Sequence, residues 1–162
     1  MTGNRINQLV MIQEGLEQLW PLINFYNLQT GLSDYSAPVL EASKSIERMI
    51  ILLAEERGYE YQNGQIKYIN SETQKSRQIL TPLAFASMDY ISDMPKEIRD
   101  FVKIIKMRRN IEAHAVYEEY QTKYGEAVVF AQAFDCFVSW FVLNSSTLRE
   151  LDATGKEKFC IG

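Results

Sequence analysis

Cysteine and histidine are scarce in this 162-residue chain, which has two cysteines, Cys136 and Cys160, and one histidine, His114. Two distant cysteines do not form a disulfide framework, and one histidine completes no metal-ligand spacing, so neither a disulfide scaffold nor a zinc module is indicated. Four prolines and eight glycines are sparse punctuation, which favours long helices over many short strands. The chain has no run of about 18 uncharged apolar residues and no basic stretch leading into an apolar N-terminal segment. The expectation is therefore a cytoplasmic protein without a membrane span. Positive charge is also short, 17 Lys and Arg against 21 Asp and Glu, for a net charge of −4. That balance argues against a protein that coats nucleic acid by bulk electrostatics.

What is present is apolar patterning at helical spacing. A hydrophobic fraction of 46% and a charged fraction of 23% describe one globular domain spanning residues 1–162, of all-α class. From Arg5 to Gln29 the apolar residues recur at steps of three and four, with a kink or break expected at Trp20-Pro21. Residues 30–36 read as a loop. A second helix is expected from about Pro38 to Arg57, with Ser36 as N-cap, Pro38 in the first turn and Gly58 as terminator. The pair Asn63-Gly64 tolerates positive φ, so the flanking residues form either a short exposed β-hairpin or a polar loop. Ser71 and Gln74 have the spacing of a capping box and predict a third helix that Pro82 kinks or interrupts. A final helix is expected from about Gly125 to Leu151, so rich in large apolar residues that it is either buried on two faces, one against a partner subunit, or the central core helix. Residues 152–162 read as a flexible tail.

Charge is unevenly distributed around one stretch. Between Lys96 and Arg109 stand Lys96, Arg99, Lys103, Lys106, Arg108 and Arg109 against Glu97 and Asp100. On a helix, Arg99, Lys103, Lys106, Asn110, His114 and Tyr117 would share one stripe. Arg109 instead continues the apolar line Ile98, Val102, Ile105, so it either snorkels from a core face or points into a shared interface. Imidazole titrates near neutrality and can move a proton either way, while guanidinium binds phosphate bidentately.

Arg109, Asn110, three intervening residues and His114 resemble the R-N-x-x-x-H signature of HEPN domains, small helical proteins many of which are metal-independent ribonucleases. The resemblance implies a HEPN-like helical bundle with a short β-hairpin insertion, its motif at 109–114, acting as a homodimer whose motif helices face each other across a groove. It implies that Arg109 holds the scissile phosphate, His114 is the general acid/base and Asn110 supports it. Attack by the ribose 2′-OH would leave a 2′,3′-cyclic phosphate and exclude DNA. Lys103, Lys106 and Arg108 are candidate RNA-steering residues, each otherwise a solvated charge, and Tyr117 either stacks on a base or packs. Glu47 is a supporting acid that sets the charge of the site or orients Arg109, or else an exposed helix carboxylate. No cofactor or metal is called for. The expected partners are RNA and, for a toxin or defence effector, a cognate antitoxin or regulatory protein. The alternative is a non-catalytic HEPN-like domain that binds a protein or nucleotide.

Overall fold

The computed structural model describes residues 7, 9–14, 36–69, 76–113 and 124–153, which are mostly helical with one small antiparallel sheet. Helix α1 (Ser36–Glu56) carries Pro38 in its first turn, where a missing N–H costs little, and buries Val39, Ala42, Ile46, Met49, Ile50 and Leu53. It ends where expected. The Gly58 N–H donates to the Glu55 carbonyl at 3.1 Å and the Tyr59 N–H donates to the Ala54 carbonyl at 3.0 Å. This paired closure needs a left-handed residue, and Gly58 has φ +89°.

Strands β1 (Glu60–Gln62) and β2 (Gln65–Ile69) form the hairpin, with Gln62 opposite Gln65. Asn63 and Gly64 have φ of 54° and 78°, as a two-residue type I′ turn requires. The hairpin is more than a surface ornament. β1 is exposed throughout, but Ile66 on β2 is fully buried and joins the core.

The predicted third helix needs correction. Its capping box at Ser71 and Gln74 lies outside the described residues, and the segment after it is a strand, β3 (Ser76–Leu80), antiparallel to β2. Proline disfavours helix in the residue before it, and Thr81 accordingly has φ −63° and ψ 155°. The chain is thus extended on entering Pro82 and pairs with the open edge of β2. Helix α2 (Pro82–Ser87) begins on that proline.

Helix α3 (Lys96–Ala113) follows Pro95 and packs against α1, α2 and helix α4 (Tyr124–Asn144). Phe130, Phe134, Phe137 and Phe141, at steps of four, three and four on α4, are all essentially buried beside Val102 and Ile105 of α3. By length and composition α4 is apolar enough to cross a membrane, yet this line of four rings fills the bundle interior. Residues 9–14 are helical and add Leu9 and Ile12 to the core. The rest of the expected N-terminal helix, its Trp20-Pro21 break and most of the following loop lie outside the described residues.

The expected single C-terminal helix is instead two, α4 and a short helix α5 (Ser146–Ala153), divided at Ser145. Glu56, at the end of α1, is the physical reason. Its side chain is 1% exposed. Its Oε2 accepts hydrogen bonds from Ser145 Oγ at 2.7 Å, from the Thr147 backbone N–H at 2.8 Å and from the Thr147 hydroxyl. Ser145 Oγ in turn accepts from the Leu148 N–H, capping α5. Beside it, Arg57 donates from Nε and Nη2 to both Asp93 oxygens at 2.7 and 2.6 Å, tying α1 to the turn before α3. The α5 helix includes Asp152 and Ala153 from the expected tail, and the remainder, with Cys160, is outside the described residues.

Replacing Glu56 by Ala strands three donors at the α4–α5 joint and should lower unfolding free energy by about 2–4 kcal/mol in urea titration. Glu41→Ala, which removes only an exposed pair with Lys44, should cost less than about 0.5 kcal/mol. The hydrogen bond from Arg57 holds the Asp93 carboxyl below its ordinary range. Its stabilisation is therefore present above the unfolded carboxylate pKa of about 4 and is lost as pH falls through the lower folded value. Because Asp93 is 48% exposed, Asp93→Asn should cost less than about 1 kcal/mol at pH 7, and the difference from wild type should vanish when melts are recorded near pH 2.

Candidate functional site

Helix α3 brings three consecutive polar residues to three different neighbours, because each step along a helix rotates the side chain by about 100°. Arg108 turns toward α4, where its Nη1 bonds to the Glu126 carboxylate. Arg109 turns toward α1, with Nε 3.2 Å from Glu47 Oε1. Asn110 faces solvent.

The positions of Arg109 and Glu47 follow from the packing around them. Val102 and Ile105 precede Arg109 on the core-facing line of α3 and are fully buried, but by Arg109 the line has reached the edge of the bundle. The Arg109 side chain is 37% exposed and Glu47 24%. Glu47 follows the buried Ile46 on α1 and so lies at the rim of the same interface. Of the two orientations open to Arg109, the structure shows the guanidinium directed to a neighbouring helix of its own chain. Glu47 is correspondingly a partner of Arg109 and not an unpaired carboxylate. An ion pair on the Nε edge fixes the plane of a guanidinium and leaves the Nη fork as a separate donor edge.

The cationic strip is less available than the sequence implied. Arg108, expected to steer phosphate, has a side chain that is 11% exposed and pairs with Glu126. Lys103 is exposed and lies 3.6 Å from Asp100, which also holds Lys96 at 3.2 Å. Lys106 is half-buried. Lys103 and Asn110 do share the outward face of α3, with Met107 between them at 58% exposed. His114 and Tyr117 lie outside the described residues, and α3 is described to Ala113, the residue before His114.

Two features escaped the sequence reading. One is Glu126 as the partner of Arg108. The other is an apolar groove of about 370 Å³ between the end of α3 and the start of α4, lined by Ile104, Met107, Val129 and Phe130 with the Arg108–Glu126 pair at its side. A methionine standing inside a basic strip was the only local signal for it. Compared with family models, curated proteins and solved structures, the chain has no match.

A double-mutant cycle on Arg109→Ala and Glu47→Ala should give a stability coupling of about 0.5–1 kcal/mol, as for a partly exposed pair. The cycle on Arg108→Ala and Glu126→Ala should give about 1–2 kcal/mol, because Arg108 is the more buried cation. Equal couplings would contradict the difference in burial.

Proposed function

We propose that the chain is a HEPN-like helical bundle acting as a metal-independent endoribonuclease, of the kind that serves as a toxin or defence effector. The observation that carries this reading is the Glu47–Arg109 pair at the end of the motif helix. It supplies what the arginine of such a site needs, a guanidinium oriented by a carboxylate and still open to solvent on part of its surface.

Arg109 holds the scissile phosphate through its Nη fork and stabilises charge as it builds on the phosphoryl oxygens. His114 accepts the proton of the attacking 2′-OH and returns one to the departing 5′ oxygen, with Asn110 as its polar support. Lys103 and Lys106 add positive potential along the approach to Arg109, whereas Arg108 acts as a strut to α4. The resemblance implies a site shared between two copies. Because Glu47 and Arg109 pair within one chain, the phosphate-holding half of the site is complete in each copy.

A second reading is a non-catalytic domain that binds a protein partner, and the apolar groove beside Met107 favours it. The two part on one assay. Mixed cellular RNA incubated in EDTA should be cut by the wild type to 2′,3′-cyclic ends, at rates at least about 100-fold lower in Arg109→Ala and in His114→Ala. Glu47→Gln, which keeps shape but loses charge, should reduce the rate about 10-fold, as expected for a positioning residue. Intact RNA in the presence of well-folded wild type would assign the protein to the binding reading.

A further inference from the structure

The groove between the end of α3 and the start of α4 is left unused by the proposed mechanism. Its walls are apolar. Met107 from α3 and Val129 from α4 line it at 58% and 49% exposed, with Ile104 and Phe130 beside them. Its one polar side is the Arg108–Glu126 pair.

Size limits the occupant. The lining runs from Ile104 to Arg108 on α3 and from Gly125 to Phe130 on α4, which is about 6–8 Å of each helix at about 1.5 Å per residue. A partner helix engages its groove through residues at i, i+3, i+4 and i+7 and needs a longer trough. One flat ring or one side chain fits.

We infer that the groove takes one unstacked guanine of the RNA, with its faces against the apolar walls and its Watson–Crick edge on the Glu126 carboxylate. This rests on the ribonuclease reading and names a specificity site for it. Proteins read single-stranded RNA by splaying bases out, packing their faces and hydrogen-bonding their edges. A base offers π faces to the apolar walls, for which the exposed Met107 thioether is a favourable surface, and a polar edge to the polar side. An apolar protein side chain would cover the carboxylate without giving it a donor.

The carboxylate also selects among bases. Glu126 is 41% exposed, and Arg108 bonds to its Oε2. A carboxylate accepts at about four positions, so acceptor sites remain. Guanine sets N1–H and N2–H side by side, two donors matched to two carboxylate oxygens. Adenine and cytosine set an amino donor beside a ring-nitrogen acceptor, and uracil sets its N–H between two carbonyls, so each of them turns a lone pair toward the carboxylate. Arg108 supplies the counter-charge that lets an acidic side chain stand near phosphates.

Position relative to the cut follows from the helix. Three residues back along α3 is a turn of about 60°, so Arg109, Lys106 and Lys103 lead in order around the solvent side toward Met107. The arc from Arg109 to Met107 is about 15 Å on a helix about 10–12 Å across. That is too far for the nucleotide whose phosphate Arg109 holds. The guanine therefore lies at a fixed offset from the cut, and the strand between passes Lys106 and Lys103.

Binding of uncleavable RNA tests the site separately from catalysis. Fluorescein-labelled 2′-O-methyl pentanucleotides of uridine, with guanine, inosine or adenine at the centre, are titrated with the full chain and followed by anisotropy. Guanine should bind at least about 10-fold more tightly than adenine. Inosine, which lacks the N2 amino group, should fall between them. Glu126→Gln should bring guanine and adenine within about 2-fold of each other. Because that variant also disturbs Arg108, Met107→Ala is the second: it leaves the ion pair intact and should weaken every pentanucleotide about 5-fold without changing their order or the circular dichroism spectrum. In RNA cut by the wild type, guanine should recur at one offset from the 2′,3′-cyclic ends. Guanine-selective binding without cleavage would support the site and remove the ribonuclease reading. Equal affinity for guanine and adenine, a preference that Glu126→Gln leaves intact, or cleavage indifferent to guanine would overturn the site and leave that reading standing. No detectable binding of any pentanucleotide would overturn it as well and leave the groove to a protein side chain.

Discussion

The buried carboxylate of Glu56 is the constraint on which the described fold turns. A carboxyl group that is 1% exposed is tolerable only if its oxygens are hydrogen-bonded, and here one oxygen gathers the Ser145 hydroxyl together with the N–H and hydroxyl of Thr147. Because those donors lie about ninety residues away in sequence, satisfying Glu56 fixes where α4 stops relative to where α1 stops. That fixed end in turn holds the phenylalanine line of α4 against Ile46, Met49 and Ile50, and α3 is gripped between the two helices. Arg57, the next residue, extends the same knot to Asp93 and so sets the point from which α3 departs. The angle at which the motif helix crosses the bundle is therefore decided far from the motif.

The parts of this fold that could be read from sequence are those determined locally. Apolar residues at steps of three and four mark α1 and α4, Gly58 supplies the left-handed residue that closes α1, and Asn63-Gly64 dictates a two-residue hairpin turn. What could not be read is determined by a partner distant in the chain. Residues 76–80 have no strong preference of their own and become a strand because β2 offers an unpaired edge and Pro82 forbids helix just before it. Likewise Ser145-Ser146-Thr147 reads as acceptably helical on its own. Only the buried Glu56 shows that hydroxyl groups are needed there and that the helix is recapped.

The candidate site divides in the same way. That Arg109 falls on the core-facing line of α3 follows from counting, and so does the outward position of Lys103 and Asn110. That Arg109 should meet Glu47, and Arg108 should meet Glu126, depends on which helices lie on either side, and periodicity carries no information about neighbours. Counting thus assigns the two adjacent arginines to different faces but does not say how differently the fold treats them. One is held at the bundle edge with part of its surface in water, the other is drawn in until 11% of its side chain is exposed.

This inequivalence bears on how a chain with net charge −4 could engage a polyanion at all. Bulk attraction is absent, and pairing with Glu126 removes Arg108 from the accessible positive charge. Among the described cations at the end of α3, this leaves Lys106 half-buried, Lys103 exposed beside Asp100, and the outer edge of Arg109. A protein so arranged would gain little from a long duplex, whose many phosphates it cannot neutralise. It would gain more from a single phosphate presented at a flexible, unpaired position, where one oriented guanidinium meets one anion and its orientation is worth more than additional charge. In the proposed site the Glu47 carboxylate would serve that purpose at a cost in attraction, weakening the pull of Arg109 on distant phosphates while narrowing the geometry in which a near one is held. Weak capture combined with strict placement suits turnover on short-lived contacts better than stable binding.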